Sequence, residues 1–73
     1  GCQRIINVHK NVPGVLGDIN GIVSEVGANI QAQALATDPH IGYLVMDLEK
    51  ADATEVAERI SKLKTSIKTR VVF

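Results

Sequence analysis

The spacing of apolar residues changes period along the chain, and each change marks an element. Arg4-Ile5-Ile6-Asn7-Val8 is short and β-branched, and it is bounded by His9-Lys10-Asn11 and Pro13-Gly14, which predicts a strand running into a turn. Val15, Leu16, Ile19, Ile22, Val23 and Val26 recur at spacings of one, three and four, which places them on one helical face with Asp18, Asn20, Ser24 and Glu25 opposite. Pro13 suits the first helical position, where its missing N–H has no partner to lose, and Gly27 suits the left-handed position just past the end. From Ala28 to Thr37 the period is two, so Ile30, Ala32, Ala34 and Ala36 are expected on the inner face of a strand, with Gln31, Gln33, Leu35 and Thr37 on the outer. Asp38-Pro39-His40 is turn chemistry, and Ile41–Leu48 is the almost wholly apolar strand expected at the centre of a sheet. A second helix is expected from Asp52, with Glu55 completing a capping box and Ala53, Val56, Ala57, Ile60 and Leu63 forming its apolar stripe. Thr65-Ser66 lead into a last strand, Ile67–Val72.

This order is two β-α-β units joined through a hairpin. Right-handed crossovers put both helices on the same face of one antiparallel sheet, giving an α+β, ferredoxin-like βαββαβ fold with strands one and three central and strands two and four at the edges. One sheet face is left without helices, and two edges are left able to pair with another chain. With 73 residues the chain is expected to form a single domain spanning residues 1–73. A domain of about this size buries only about 60% of the surface its unfolded chain exposes, which adds to the expectation of association. Gly17 and Gly21, four apart in the first helix, make a strip without side chains. That strip is either a neutral exposed face or a place where another backbone comes close.

Eight basic residues balance eight acidic ones, and aromatics make up only 3% of the chain. Neither the positive footprint for phosphate nor a stacking platform for bases is present, so nucleic acid is excluded as a partner. Six of the eight acids fall between Asp38 and Glu58 and five of the eight bases between Arg59 and Arg70, an asymmetry that the dipole of the second helix and its Glu55–Arg59 and Glu58–Lys62 pairs account for. The apolar stretches Val12–Leu16 and Ile41–Met46 fall far short of the roughly 18 residues a membrane span needs. A single Cys2 and no visible signal peptide lead to the expectation of a reducing, cytoplasmic setting, and a chain opening on Gly1 is read as a fragment of something longer.

Catalytic chemistry is thin. His9, His40, Cys2 and Asp38 lack metal-ligand spacing, Cys2 has no neighbouring group to activate it, and Ser24 and Ser61 have no base in view. No catalytic residue and no metal or cofactor site is expected in this chain. One region looks arranged for binding: His9-Lys10-Asn11-Val12-Pro13-Gly14 sets an imidazole and an amide before a helix N-terminus, whose free N–H groups attract carboxylates. Asn29 supplies a second amide beyond Gly27. The same residues also read as ordinary structure, with Asn11 capping the helix, His9 in a loop and Asn29 in a turn.

His9-x-Asn11-x-Pro13-Gly14-Val15-Leu16, Gly27-x-Asn29-Ile30, Gly42-Tyr43 before Asp47-x-Glu49, and Ile67-x-x-Arg70 together resemble the C-terminal ACT domain of bacterial D-3-phosphoglycerate dehydrogenases, from about Arg4 to Phe73. The resemblance implies regulation. That family carries out the NAD-linked first step of serine synthesis, with NAD bound in a domain absent here, and its ACT domains bind L-serine as a feedback inhibitor. Two ACT domains of the family pair through their second strands and first helices, with serine at the junction. Carried over by position, His9 and Asn11 would meet serine from one subunit and Asn29 from the other, and Pro13, Gly14, Val15 and Leu16 would shape the pocket wall. A rival is an ACT module of another amino-acid enzyme, such as an iron–sulfur serine dehydratase, with a different effector. Another is a ferredoxin-like dimerisation module with no small ligand. An acylphosphatase-like enzyme would need an Arg in its phosphate loop, and Val12–Leu16 has none.

Overall fold

The computed structural model describes residues 2–72, with Lys50 and Ala51 described by their backbone alone. The opening Gly1 and the last residue of the resemblance, Phe73, lie outside the described residues. The elements are β1 (Cys2–Lys10), α1 (Val15–Val26), β2 (Ile30–Thr37), β3 (Ile41–Glu49), α2 (Lys50–Ser61) and β4 (Ser66–Val72). They form one four-stranded sheet in the order β2-β3-β1-β4. All three neighbouring pairs are antiparallel, so the expected ferredoxin-like topology holds, with β1 and β3 central.

Alternation along the central strands builds the core. Ile5 on β1 and Leu44, Met46 and Leu48 on β3 are buried toward the helices, where Val15, Ile19 and Val23 of α1 and Ala53, Val56, Ala57 and Ile60 of α2 meet them. Leu16, Ile22, Val26 and Leu63 pack at the margin of this cluster, so both predicted helical stripes face inward. Arg59 pairs with Glu55 at 2.8 Å and Lys62 with Glu58 at 3.8 Å on the solvated side of α2. Exposed pairs of this kind contribute little to stability.

Three expectations are corrected. Pro13 is not the first residue of α1. Gly14 is the N-cap, with φ 89°, and the first helical bond runs from the Asp18 N–H to the Gly14 carbonyl at 3.0 Å, which leaves Pro13 in the preceding turn. The C-terminal expectation holds: Gly27 takes φ 76° and its N–H reaches the Val23 and Ser24 carbonyls, a left-handed ending open to glycine. Helix α2 starts at Lys50 rather than Asp52, with Glu49 as its cap and no side-chain capping bond. Asp52 therefore lies inside the first turn, where its carboxylate meets the positive end of the helix dipole.

The third correction concerns β2. Its register against β3 shifts between Ile30 and Ala32, leaving Gln31 unmatched. Beyond that bulge Gln33 lies opposite Met46 and Leu35 opposite Leu44, on the helix-bearing face, while Ala34 and Ala36 lie opposite Val45 and Tyr43 on the open face. The alanines are thus outward relative to the helices, the reverse of the expected assignment. All eight residues of β2 are exposed, Leu35 among them at 43%.

Candidate functional site

The residues singled out from the sequence gather at two ends of the sheet. At one end β1 leaves the sheet through His9 and Lys10, and the chain turns through Asn11–Gly14 into α1. Asn11 does not cap that helix. Its backbone N–H donates to the His40 carbonyl at 2.9 Å and its Nδ2 to the Asp38 carbonyl at 2.7 Å, which fastens this loop to the β2–β3 turn. That turn is itself ordered by Asp38, whose Oδ1 accepts the His40 and Ile41 N–H groups at 2.8 and 2.7 Å. Those two donors hold the Asp38 carboxyl below its ordinary pKa. No side chain among the described residues caps α1, so its first N–H groups remain available beside Gly14, Val15 and Leu16. Val15 is buried in the core, Leu16 is half-buried, and Pro13 and Gly14 are exposed.

His9 is neither exposed nor in a loop. It is a strand residue only 3% exposed, on the same face of β1 as Gln3, Ile5 and Asn7. Its ring covers Gly42, its cross-strand partner on β3: a Cβ added to Gly42 would lie 2.8 Å from His9 Cε1 and 2.9 Å from Cδ2. The side-chain-free surface of Gly42 is therefore the seat of the imidazole. Burial lowers the pKa of His9, because the charged ring loses hydration without gaining an anionic partner. His9 Nδ1 lies 2.9 Å from Asn7 Oδ1. Asn7, which is fully buried, donates from Nδ2 to Ser66 Oγ and Thr69 Oγ1, both at 2.9 Å.

Asn7 was missed from the sequence, although it shares a face with Ile5 and His9 at a spacing of two. A polar residue on the inner face of a central strand, where burial without partners is costly, was the available signal.

Asn29 lies at the opposite end. Its Nδ2 donates to Glu49 Oε1 at 3.3 Å and its carbonyl accepts the Glu49 N–H at 3.4 Å. Gly42 and Glu49 are the second and last residues of β3, about 23 Å apart along the strand. Within one chain, then, His9 and Asn11 are brought together and Asn29 is held well away. On the helix-free face a shallow hollow of about 120 Å³ lies between Arg4, Asp47, Val45, Ala32 and Ala34. Arg4 spans it with two bonds to Asp47, at 2.8 and 3.1 Å, which hold that carboxyl below its ordinary pKa.

The residues thus form a βαββαβ domain in which the N-terminus of the first helix lies beside a polar loop cluster. The chain matches the model of the AHAS small subunit-like ACT domain over residues 5–68, and it belongs to the ACT-domain family. It is 49% identical over 71 residues to a D-3-phosphoglycerate dehydrogenase of Dictyostelium discoideum, covering 97% of this chain and 17% of that protein. A dehydrogenase of the same name from Haemophilus influenzae is 40% identical over 73 residues, covering 100% of this chain and 18% of the relative. The resemblance drawn from the motifs is thus borne out, and the chain spans less than a fifth of the length of these relatives. Among solved structures, the ACT domain from GTP pyrophosphokinase of Chlorobium tepidum has a TM-score of 0.84 at 16% identity, covering 97% of this chain and 96% of that one. The regulatory subunit of aspartate kinase from Thermus thermophilus has a TM-score of 0.71 at 15% identity, covering 94% of this chain and 49% of that one. At these identities the likeness is one of fold.

Proposed function

We propose that this chain is the effector-sensing ACT domain of a cytoplasmic D-3-phosphoglycerate dehydrogenase and that it binds L-serine between two paired copies. Binding at that junction conveys feedback inhibition to catalytic domains that carry the NAD. The carrying observation is β2: an eight-residue edge strand, IQAQALAT, without charge or proline and exposed along its whole length. Edges of that kind are normally covered or blunted, and beyond the bulge at Gln31 nothing among the described residues covers this one and no charge or proline interrupts it.

Antiparallel pairing of two such edges about a two-fold axis sets the start of one β2 beside the end of the other. Asn29 of one copy then approaches the Asn11–Asp38 clip of its partner, which resolves the separation of Asn29 from His9 within a single chain. Serine's carboxylate suits the uncapped N–H groups of α1, and its ammonium and hydroxyl suit amide and imidazole acceptors. Pro13, Gly14, Val15 and Leu16 form the wall on the helix side. Coupling to catalysis requires only that the paired, liganded arrangement be less compatible with turnover, and it must be reciprocal in binding energy.

The test is a thermal-stability scan against all twenty amino acids on a sample whose dimer is established by sedimentation. The whole set is needed because the matched family model carries the name of a different enzyme's subunit. Saturation at about 100 times Kd adds roughly 2.7 kcal/mol, which raises the melting point of a domain this small by on the order of 10 °C. A shift with serine alone supports the reading. A shift with another amino acid reassigns the effector, and no shift at millimolar ligand overturns effector binding.

A further inference from the structure

The polar side chains buried behind His9 form a directed series. Ser66 Oγ–H donates to the Ile60 carbonyl at 2.9 Å, so the Ser66 oxygen is left to accept from Asn7 Nδ2, also at 2.9 Å. The nitrogen of the Asn7 amide therefore faces β4, where Thr69 Oγ1 at 2.9 Å and, more distantly, the Lys68 carbonyl at 3.4 Å also accept from it. Its oxygen is then the atom that faces His9, and an amide oxygen can only accept. His9 must place its proton on Nδ1 to complete the bond.

We propose that Asn7, oriented by Ser66 and Thr69, is the positioning residue of the effector site: it locks His9 in the Nδ1–H tautomer and leaves Nε2 as a hydrogen-bond acceptor for an ammonium or hydroxyl group of the ligand. The ligand half of this inference rests on the effector reading above, and the tautomer half does not. Nε2 lies over Gly42, where β3 leaves the Asp38–His40 turn, and has no hydrogen-bond partner among the described residues. It is not sealed in, because no fully buried side-chain nitrogen or oxygen among them lacks a partner. A residue 3% exposed with one nitrogen committed and the other uncommitted is arranged to receive a donor. Burial also favours the neutral ring, the only form in which Nε2 can accept. The site consequently presents an acceptor from His9 and donors from the α1 terminus, two complementary ends for a zwitterion.

The experiment is long-range 1H–15N correlation on the labelled chain without ligand, which reads the protonation of each ring nitrogen directly. Nδ1 of His9 is expected to carry the proton and Nε2 to show the unprotonated shift. An Nε2–H tautomer, or an even mixture, overturns the tautomer half whatever the chain binds. N7L removes the acceptor and should move the ring toward Nε2–H, whereas N7D keeps an acceptor and should retain Nδ1–H. Unchanged tautomers in a folded N7L also overturn it. On adding serine, the Nε2 resonance should move as it accepts a hydrogen bond, and N7L should bind serine about tenfold more weakly, equivalent to about 1.4 kcal/mol. Serine that binds while leaving Nε2 unmoved overturns the ligand half alone. Absence of any amino-acid response from the wild-type chain overturns the effector reading and the ligand half together.

Discussion

Replacing Gly42 by Ala adds one methyl group at a point where the structure has no room for it. The new carbon would lie 2.8 and 2.9 Å from two carbons of the His9 ring, closer than real Cβ atoms come to a neighbour. Neither partner can yield cheaply. His9 is 3% exposed and held through Nδ1 by Asn7, and the Gly42 backbone is tied into the β1–β3 ladder opposite His9. Backbone strain plays no part, since Gly42 is not among the positive-φ glycines. The cost is therefore overpacking alone, typically about 1–3 kcal/mol. At roughly 4–8 °C per kcal/mol for a domain of this length, the melting point should fall by on the order of 5–20 °C. Differential scanning calorimetry of wild type, G42A, H9A and the double variant closes a cycle. Once the ring is gone the methyl group fills vacated space, so G42A should cost close to nothing in the H9A background, giving an interaction energy of about 1–3 kcal/mol. A G42A variant as stable as wild type, or an equal loss in both backgrounds, refutes the packing of His9 on Gly42.

Gly17 is the contrasting glycine: a Cβ there meets nothing within 4 Å, so G17A should stabilise the chain by about 0.5–1 kcal/mol, and a lower melting point in dilute solution would contradict this. N29A removes an exposed amide whose one side-chain partner among the described residues is Glu49, so thermal stability should stay within about 0.5 kcal/mol while the serine response is lost; retained binding counts against Asn29 as a ligand residue. L35K places a charge on the exposed β2 edge and should weaken self-association at least tenfold by sedimentation, with the far-UV spectrum unchanged. Acid should act in two stages. Because the folded pKa of His9 lies below its ordinary 6.5, the unfolded chain binds the extra proton first, so this contribution is present above 6.5 and is lost as pH falls through the folded value. Asp38 and Asp47, both held below 3.8, contribute above that value and lose their contribution at still lower pH. A melting point flat between pH 7 and 5 would contradict the first stage, and H9A should abolish that stage alone.

The order of elements, both helical stripes, the left-handed Gly27 and the central places of β1 and β3 were legible in the chain, because each follows from a local period or a local backbone preference. Legible too were the polar residues His9, Asn11 and Asn29, since amides and imidazoles beside a Pro-Gly turn stand out in a chain of aliphatics. What each of them touches was not. Asn11 reads as a helix cap until the β2–β3 turn is seen to offer its carbonyls. The alanines of β2 read as inward until a single bulge reverses them against β3. The burial of Asn7 and His9 depends on Ser66, Thr69 and Gly42, residues 33 to 62 positions away in sequence. Sequence by itself determined which segments became strands and helices, through interactions within a few residues. Only the tertiary structure decided which nitrogen of His9 is committed and which face the β2 alanines take, because a hydrogen-bond partner or a strand register is defined by residues that the chain brings together only on folding.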